Sequence, residues 1–121
     1  MLFSNKTHRT MAPREAATAH TRGELVLVDV RECAERDVDH VAGSLHIPLA
    51  QVPRRLGELP RDATVAFVCR SGRRSAAASA IAARAGVNAA NVRGGMLAWR
   101  AAQLPVTTAA SGASSNPGDA A

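Results

Sequence analysis

Aromatic residues, cysteines and long apolar runs are all scarce in this chain of 121 residues. Aromatic side chains make up 2% of it and tyrosine is absent, which leaves few rings that stack on nucleic-acid bases. No segment approaches the roughly 18 consecutive apolar residues that cross a bilayer, and the basic N-terminus lacks the apolar stretch of a secretory signal. We therefore expect a cytoplasmic protein with no nucleic-acid and no membrane partner.

The two cysteines, Cys33 and Cys69, are too few to form a disulfide scaffold. Together with the four histidines they show no metal-ligand spacing, so we expect neither a metal nor a cofactor. The length predicts a single domain, and a chain of this size buries a core without crosslinks. Aliphatic side chains must supply most of that core.

The formal net charge of +5 admits nucleic acid, a membrane surface or a small anion as partner. The arginines are scattered, apart from one local concentration at Arg70, Arg73 and Arg74, close to Cys69. This placement favours a small anion over a polymer.

Cys69 lies where a predicted strand ends and a predicted helix begins. The apolar run 64–68 precedes it, a short loop follows, and an alanine-rich segment with high helix propensity covers residues 73–85. Backbone N–H groups of such a loop converge on one point, and the helix dipole adds positive potential there. We therefore expect a partly exposed thiol with a lowered pKa, present largely as thiolate near neutral pH.

Other residues of this loop have expected supporting roles. Gly72 allows a backbone conformation that a Cβ would hinder. Ser75, in the first predicted helical turn, is expected to cap backbone donors. The sequence therefore predicts nucleophilic sulfur chemistry on an anion.

Strands and helices alternate along the whole chain. Strands are predicted over residues 24–30, 43–48, 64–69 and 87–93, and helices over 12–20, 32–40, 49–59, 73–85 and 96–103. This alternation predicts an α/β fold with an open parallel sheet covered on both faces, and a site at the carboxyl ends of its strands.

The two ends of the chain differ from this pattern. We expect a flexible segment over residues 1–11, the folded domain over 12–106, and a disordered tail over 107–121, where small and polar residues dominate.

Three separated motifs carry a family resemblance. Residues 27–35 with 40–48, the loop 69–75, and residues 92–99 follow one another in an order and spacing that resemble the rhodanese family of sulfurtransferases, in its single-domain form. The resemblance extends over about residues 13–105. It implies a sheet of about five mostly parallel strands flanked by helices.

The resemblance also implies a mechanism and a site. Cys69 would cycle between thiolate and persulfide, taking sulfur from thiosulfate or a persulfide donor and passing it to cyanide, a small thiol or a protein thiol. The loop expected to bind the donor comprises Arg70, Ser71, Gly72, Arg73, Arg74 and Ser75. Each of the three arginines is either a substrate contact or a solvated or salt-bridged surface group.

Several residues outside the loop are expected to support the structure. Asp29 and Arg31 should form an ion pair that braces the loops.

The family often has an aromatic residue and a glycine where this chain has Arg36 and Asp39, so we expect altered surface or turn geometry there. Cys33 is either a neutral substitution or a second thiol that resolves the Cys69 intermediate.

Three further side-chain roles follow from position. His40 and His46 are expected to pack in turns or strands, because a thiolate nucleophile needs no general base. Trp99 is expected in the core.

Two other functions remain open. A cysteine-dependent phosphatase or arsenate reductase uses a similar cradle but needs an arginine six positions after the nucleophile, where this chain has Ser75. A non-catalytic rhodanese-like module that binds or regulates a partner is the other alternative, although such modules commonly lose the cysteine.

Overall fold

A five-stranded parallel sheet forms the centre of the protein. The computed structural model describes residues 8–108. Its strands are β1 (Arg9–Met11), β2 (Leu25–Asp29), β4 (Leu45–His46), β5 (Thr64–Val68) and β6 (Asn88–Val92), in the order β1-β6-β5-β2-β4. Two further short strands, β3 (Asp39–His40) and β7 (Thr107–Thr108), pair antiparallel with each other. The predicted α/β fold with about five parallel strands is confirmed.

Helices cover both faces of the sheet. The four α-helices are α1 (Pro13–Thr21), α2 (Cys33–Val38), α3 (Arg73–Arg84) and α4 (Gly95–Ala101). Side chains of α1 and α4 pack on one face, and those of α3 on the other. The predicted helix over residues 49–59 is instead two 3₁₀ segments, Leu49–Gln51 and Pro53–Glu58, because Pro53 lacks the N–H that a continuous α-helix needs.

Alternation along β5 distributes its side chains between two cores. Val65, Phe67 and Cys69 belong to the core beneath α3, whereas Ala66 and Val68 belong to the core beneath α1 and α4. Met96 and Trp99 of α4 lie in this second core, as expected for Trp99. The alternation places Cys69 on the α3 face, just beyond the carboxyl end of its strand.

The ends of the described chain contain more structure than the composition predicts. Arg9–Met11, expected to be flexible, forms the edge strand β1 beside β6. Thr107 and Thr108, expected to begin a disordered tail, pair with His40 and Asp39. Pairing with a distant strand supplies the order in both cases, and local composition does not reveal such partners. The rest of the two expected end segments, residues 1–7 and 109–121, lies outside the described residues.

Across residues 8–108, no helix combines the length and the apolar character needed to cross a membrane.

Candidate active site

Three hydrogen-bond donors converge on the sulfur of Cys69. The backbone N–H of Gly72 lies 3.1 Å from Sγ and that of Ser75 lies 3.3 Å away. The Ser75 hydroxyl is 3.2 Å from the same atom. The loop reaches this geometry because Gly72 adopts a φ of +106°, in the left-handed region that favours glycine, and so serves as the N-cap of α3.

The thiol is more enclosed than the sequence predicted. Cys69 is only 1% exposed and belongs to the core beneath α3, where we expected a partly exposed side chain. Burial raises the pKa of the thiol. Hydrogen bonds from the Ser75 hydroxyl and from the N–H groups of Ser75, Gly72 and Ser71 lower this pKa by more than burial raises it, so the pKa lies below the ordinary value for a thiol. The predicted direction of the shift is therefore found in a less exposed setting than expected.

The Ser75 hydroxyl contacts the Cys69 sulfur instead of capping its helix. No side chain caps α3, and the buried Ser75 hydroxyl lies between Cys69 Sγ and Asn91 Oδ1, 2.6 Å from the latter. Our expectation of a capping role for Ser75 was wrong, because the N–H groups at this helix start face the sulfur.

Asn91 is the site residue that the sequence reading missed. Its Nδ2 donates to the Gly72 carbonyl at 3.2 Å, and its Oδ1 faces Ser75. The parallel pairing of β5 and β6 sets Asn91 beside Phe67, two residues before Cys69 and on the same face. A polar residue inside the otherwise apolar end of a predicted strand was the available signal.

The first turn of α4 holds the loop from the other side. Met96 N–H donates to the Cys69 carbonyl at 2.8 Å, and Leu97 N–H donates to the Arg70 carbonyl at 3.0 Å. Gly95 makes this approach feasible, since a Cβ there would lie 2.3 Å from the Cys69 oxygen and 2.5 Å from the Arg70 oxygen. With its carbonyls bound to α4, the loop directs its N–H groups towards the sulfur.

The three loop arginines have different surroundings. Arg74 forms a bidentate ion pair with Glu35 of α2, at 2.7 and 2.8 Å. This hydrogen bonding from Arg74 lowers the pKa of Glu35 to about 2. Arg70 and Arg73 are exposed and have no ion pair with any residue of the described chain. The structure therefore leaves two of the three arginines free to meet an anion in solvent.

Asp29 and Arg31 form the buried ion pair that we expected. Arg31, 2% exposed, bonds both carboxylate oxygens of Asp29 and also the backbone oxygen of Asp39. Asp39 in turn receives two hydrogen bonds from Arg100 of α4. This network connects the end of β2 with β3 and α4.

Arg36 and Asp39, which stand where the family often has an aromatic residue and a glycine, both make polar contacts. Asp39 is buried and accepts bonds from two arginines, and Arg36 donates to the hydroxyl and carbonyl of Ser44. Both residues therefore belong to a polar network, and the expectation of altered surface or turn geometry there stays a prediction.

Three other candidates lie apart from the sulfur's hydrogen bonds. His40 Nδ1 contacts the Arg36 carbonyl and His46 Nε2 contacts the Arg31 carbonyl. The two residues lie in strands β3 and β4, in agreement with the expected packing in turns or strands. Cys33 is exposed at the first residue of α2. Nowhere in residues 8–108 do three His, Cys, Asp or Glu side chains form a group that could hold a metal ion.

Comparison with known proteins agrees with this geometry. The family model of the rhodanese-like domain matches residues 12–102. A sulfurtransferase of Allochromatium vinosum is 37% identical over 84 residues, covering 69% of this chain and 78% of the relative.

Solved structures give the same result. A rhodanese-related protein of Thermoplasma volcanium superposes with a TM-score of 0.77 at 29% identity, covering 83% of this chain and 98% of the other. A rhodanese-like domain protein of Staphylococcus aureus has a TM-score of 0.71 at 27% identity, covering 75% and 90%. The chain has a parallel sheet with a cysteine loop at the carboxyl edge, and the family model matches three quarters of the chain's length. The chain therefore belongs to the rhodanese-like domain family.

Proposed function

We propose that the protein is a sulfurtransferase that moves a sulfane sulfur from thiosulfate or a persulfide donor to a thiophilic acceptor through a persulfide on Cys69. The observation that carries the proposal is the convergence of two backbone N–H groups and one hydroxyl on a buried thiol of lowered pKa. Such donors stabilise a sulfur anion before and after transfer. The relative named sulfurtransferase supports the same chemistry.

Sulfur transfer proceeds in two displacements. The Cys69 thiolate attacks the outer sulfur of thiosulfate, a new S–S bond forms, and the S–S bond of the donor breaks with its electron pair leaving on sulfite. A thiophile such as cyanide then attacks the outer sulfur of the persulfide. Its product leaves as thiocyanate, and the electron pair of the broken S–S bond regenerates the thiolate. No net oxidation and no cofactor are needed.

The loop supplies the electrostatic part of catalysis. Gly72 and Ser75 N–H groups are fixed in place before reaction, so they need no reorganisation when charge develops on sulfur. Arg70 and Arg73, exposed beside the buried thiol, attract an anionic donor towards it. Arg74 acts differently: its bond to Glu35 connects α3 to α2 and keeps a positive charge near the sulfur.

A phosphatase fits the site less well. The position that would hold the phosphate-binding arginine is Ser75, whose side chain is directed to the sulfur and Asn91. Arg74, one residue earlier, is bound to Glu35. A phosphoryl transition state spreads charge over several oxygens and needs donors around all of them.

Steady-state turnover tests the proposal. The purified protein should convert thiosulfate and cyanide to sulfite and thiocyanate, and it should hydrolyse an aryl phosphate negligibly. Cys69→Ser should abolish thiocyanate formation, whereas Cys33→Ser, which removes the other and exposed thiol, should retain most of it. Thiocyanate formation by Cys69→Ser, or phosphatase activity that this substitution removes, would refute the assignment.

A further inference from the structure

The Ser75 hydroxyl has one proton and two neighbours able to accept it. Asn91 Oδ1 lies 2.6 Å from Ser75 Oγ, and Cys69 Sγ lies 3.2 Å from it. A hydroxyl donates one hydrogen bond, so it serves only one of these atoms at a time. Asn91 Oδ1 is the closer of the two acceptors.

The orientation of the Asn91 amide is fixed by a third group. Its Nδ2 donates to the Gly72 carbonyl at 3.2 Å. The reversed amide would set its oxygen against that carbonyl oxygen, two acceptors without a proton between them. Asn91 therefore presents Oδ1 to Ser75, and Oδ1 can only accept.

The ionisation state of Cys69 decides how these groups share their protons. With a neutral thiol, S–H donates to Ser75 Oγ, and Ser75 O–H donates to Asn91 Oδ1, so every group is paired. With a thiolate, the Ser75 hydroxyl has two choices. It can donate to the sulfur, which leaves the 9%-exposed Asn91 Oδ1 without that donor, or it can continue to donate to Asn91, which leaves the sulfur with backbone donors alone. Either choice costs one hydrogen bond in a buried site, which favours the neutral thiol.

We propose that Asn91 is a positioning residue that draws the proton of the Ser75 hydroxyl towards its own Oδ1 and away from Cys69, and thereby keeps the resting thiol more protonated than the loop alone would make it. The inference concerns the nucleophile of the proposed function, but thiol ionisation is measured without a sulfur donor. Failure of one therefore does not entail failure of the other.

The charged side chains near the Cys69 sulfur are the same in all the variants that test this role of Asn91. Arg74 of α3 interacts with the thiolate and with Glu35 and Glu32 at the start of α2. Arg70 and Arg73 belong to the loop itself. Strands β5 and β6 and the first turn of α4 contain no ionisable side chain.

A double-mutant cycle on the Cys69 pKa is the test, read from the ultraviolet absorbance of the thiolate in a Cys33→Ser background. Asn91→Leu, similar in size but without an acceptor, should lower the pKa by up to about one unit, the worth of one hydrogen bond. Ser75→Ala removes the shared hydroxyl itself and supplies the second arm of the cycle. In the Ser75→Ala background, Asn91→Leu should have no further effect, because the proton it competes for is gone.

The cycle separates this role from simple loop support. If Asn91 acted only through the Gly72 carbonyl, Asn91→Leu would change the pKa equally with and without the Ser75 hydroxyl, and the proposal would be wrong. An unchanged or raised pKa in the single variant would also overturn it. Should Asn91→Leu not fold, Asn91→Ala removes the same acceptor without added bulk and must give the same pattern.

Discussion

At the scale of single residues, the loop separates charges that stabilise structure from charges that face solvent. Arg74 is committed to Glu35, whereas Arg70 and Arg73 are exposed and have no ion pair within the described part of the chain. The burial of Cys69 adds a second constraint, since a donor must reach an almost fully enclosed sulfur. In the proposed mechanism, attraction of the donor and activation of the thiol are therefore the work of different residues.

Neutralising the exposed loop arginines tests this division. Arg70→Gln and Arg73→Gln should each raise the KM for thiosulfate by roughly threefold at low ionic strength, with the effect shrinking at high salt, because screening weakens long-range attraction. Arg84→Gln is the matched control: it removes the same charge from the last turn of α3, at the far end of that helix. Equal KM values for all three variants and the wild type at low salt would exclude the steering role.

At the scale of elements, the start of α4 acts as a clamp on the loop that follows Cys69, because its N–H groups bind two carbonyls of that loop. Gly95 has a φ of +58° and lies against the Cys69 and Arg70 carbonyls, whereas Gly23, with a φ of +71°, has no atom within 4 Å of where a Cβ would lie. The two glycines share the same backbone constraint and differ in what surrounds them.

Substituting alanine at Gly23 and at Gly95 should separate the cost of backbone strain from the cost of steric contact with the loop. Gly23→Ala should cost about 1–2 kcal/mol of the free energy of unfolding, the price of a left-handed alanine, and leave kcat unchanged. Gly95→Ala should cost a further 1–3 kcal/mol or so, since the loop must move to admit the methyl group, and should lower kcat sharply. Denaturant unfolding and turnover assays measure both. A Gly95→Ala enzyme with wild-type kcat would show that the clamp does not set the loop geometry.

The Glu35–Arg74 pair links α2 to α3 and makes stability depend on pH. Hydrogen bonding from Arg74 lowers the pKa of Glu35 from 4.5 to about 2, so the folded state favours the carboxylate. The stabilisation is therefore present above about pH 4.5 and is lost as pH falls towards 2. Solvent screening reduces its worth to about 1 kcal/mol, because both side chains are about one-third exposed.

Glu35→Gln removes the charge while keeping a side-chain oxygen that accepts from the Glu32 N–H at the start of α2. The variant should unfold at lower denaturant concentration than wild type at pH 7, and the difference should shrink as the pH approaches 2. A stability difference that is constant over this range would contradict the assigned pKa.

At the scale of the whole molecule, local patterns predicted what is locally determined. The apolar runs and the alanine-rich segment gave the buried strands and α3, because side-chain periodicity and propensity act over a few residues. The strand–loop–helix pattern at Cys69 likewise predicted the direction of the shift in the thiol's pKa, and the nucleophilic role of Cys69 stays a prediction.

Features that depend on distant pairing could not be predicted in this way. Ser75 meets Asn91 across 16 residues, and Arg74 meets Glu35 across 39. β1 and β7 have two or three residues each and are ordered by strands far along the chain. The burial of Cys69 also follows from packing in the core beneath α3, so the sequence indicated the direction of the shift in the thiol's pKa but not its enclosure.

The most direct test of the central claim, that Cys69 holds the transferred sulfur, is the intact mass of the protein after incubation with thiosulfate. We predict a gain of about one sulfur atom, removed by a reducing agent or by cyanide. The gain should persist in Cys33→Ser and be absent from Cys69→Ser. A mass unchanged by thiosulfate and by persulfide donors, or a gain that survives Cys69→Ser, would contradict the account.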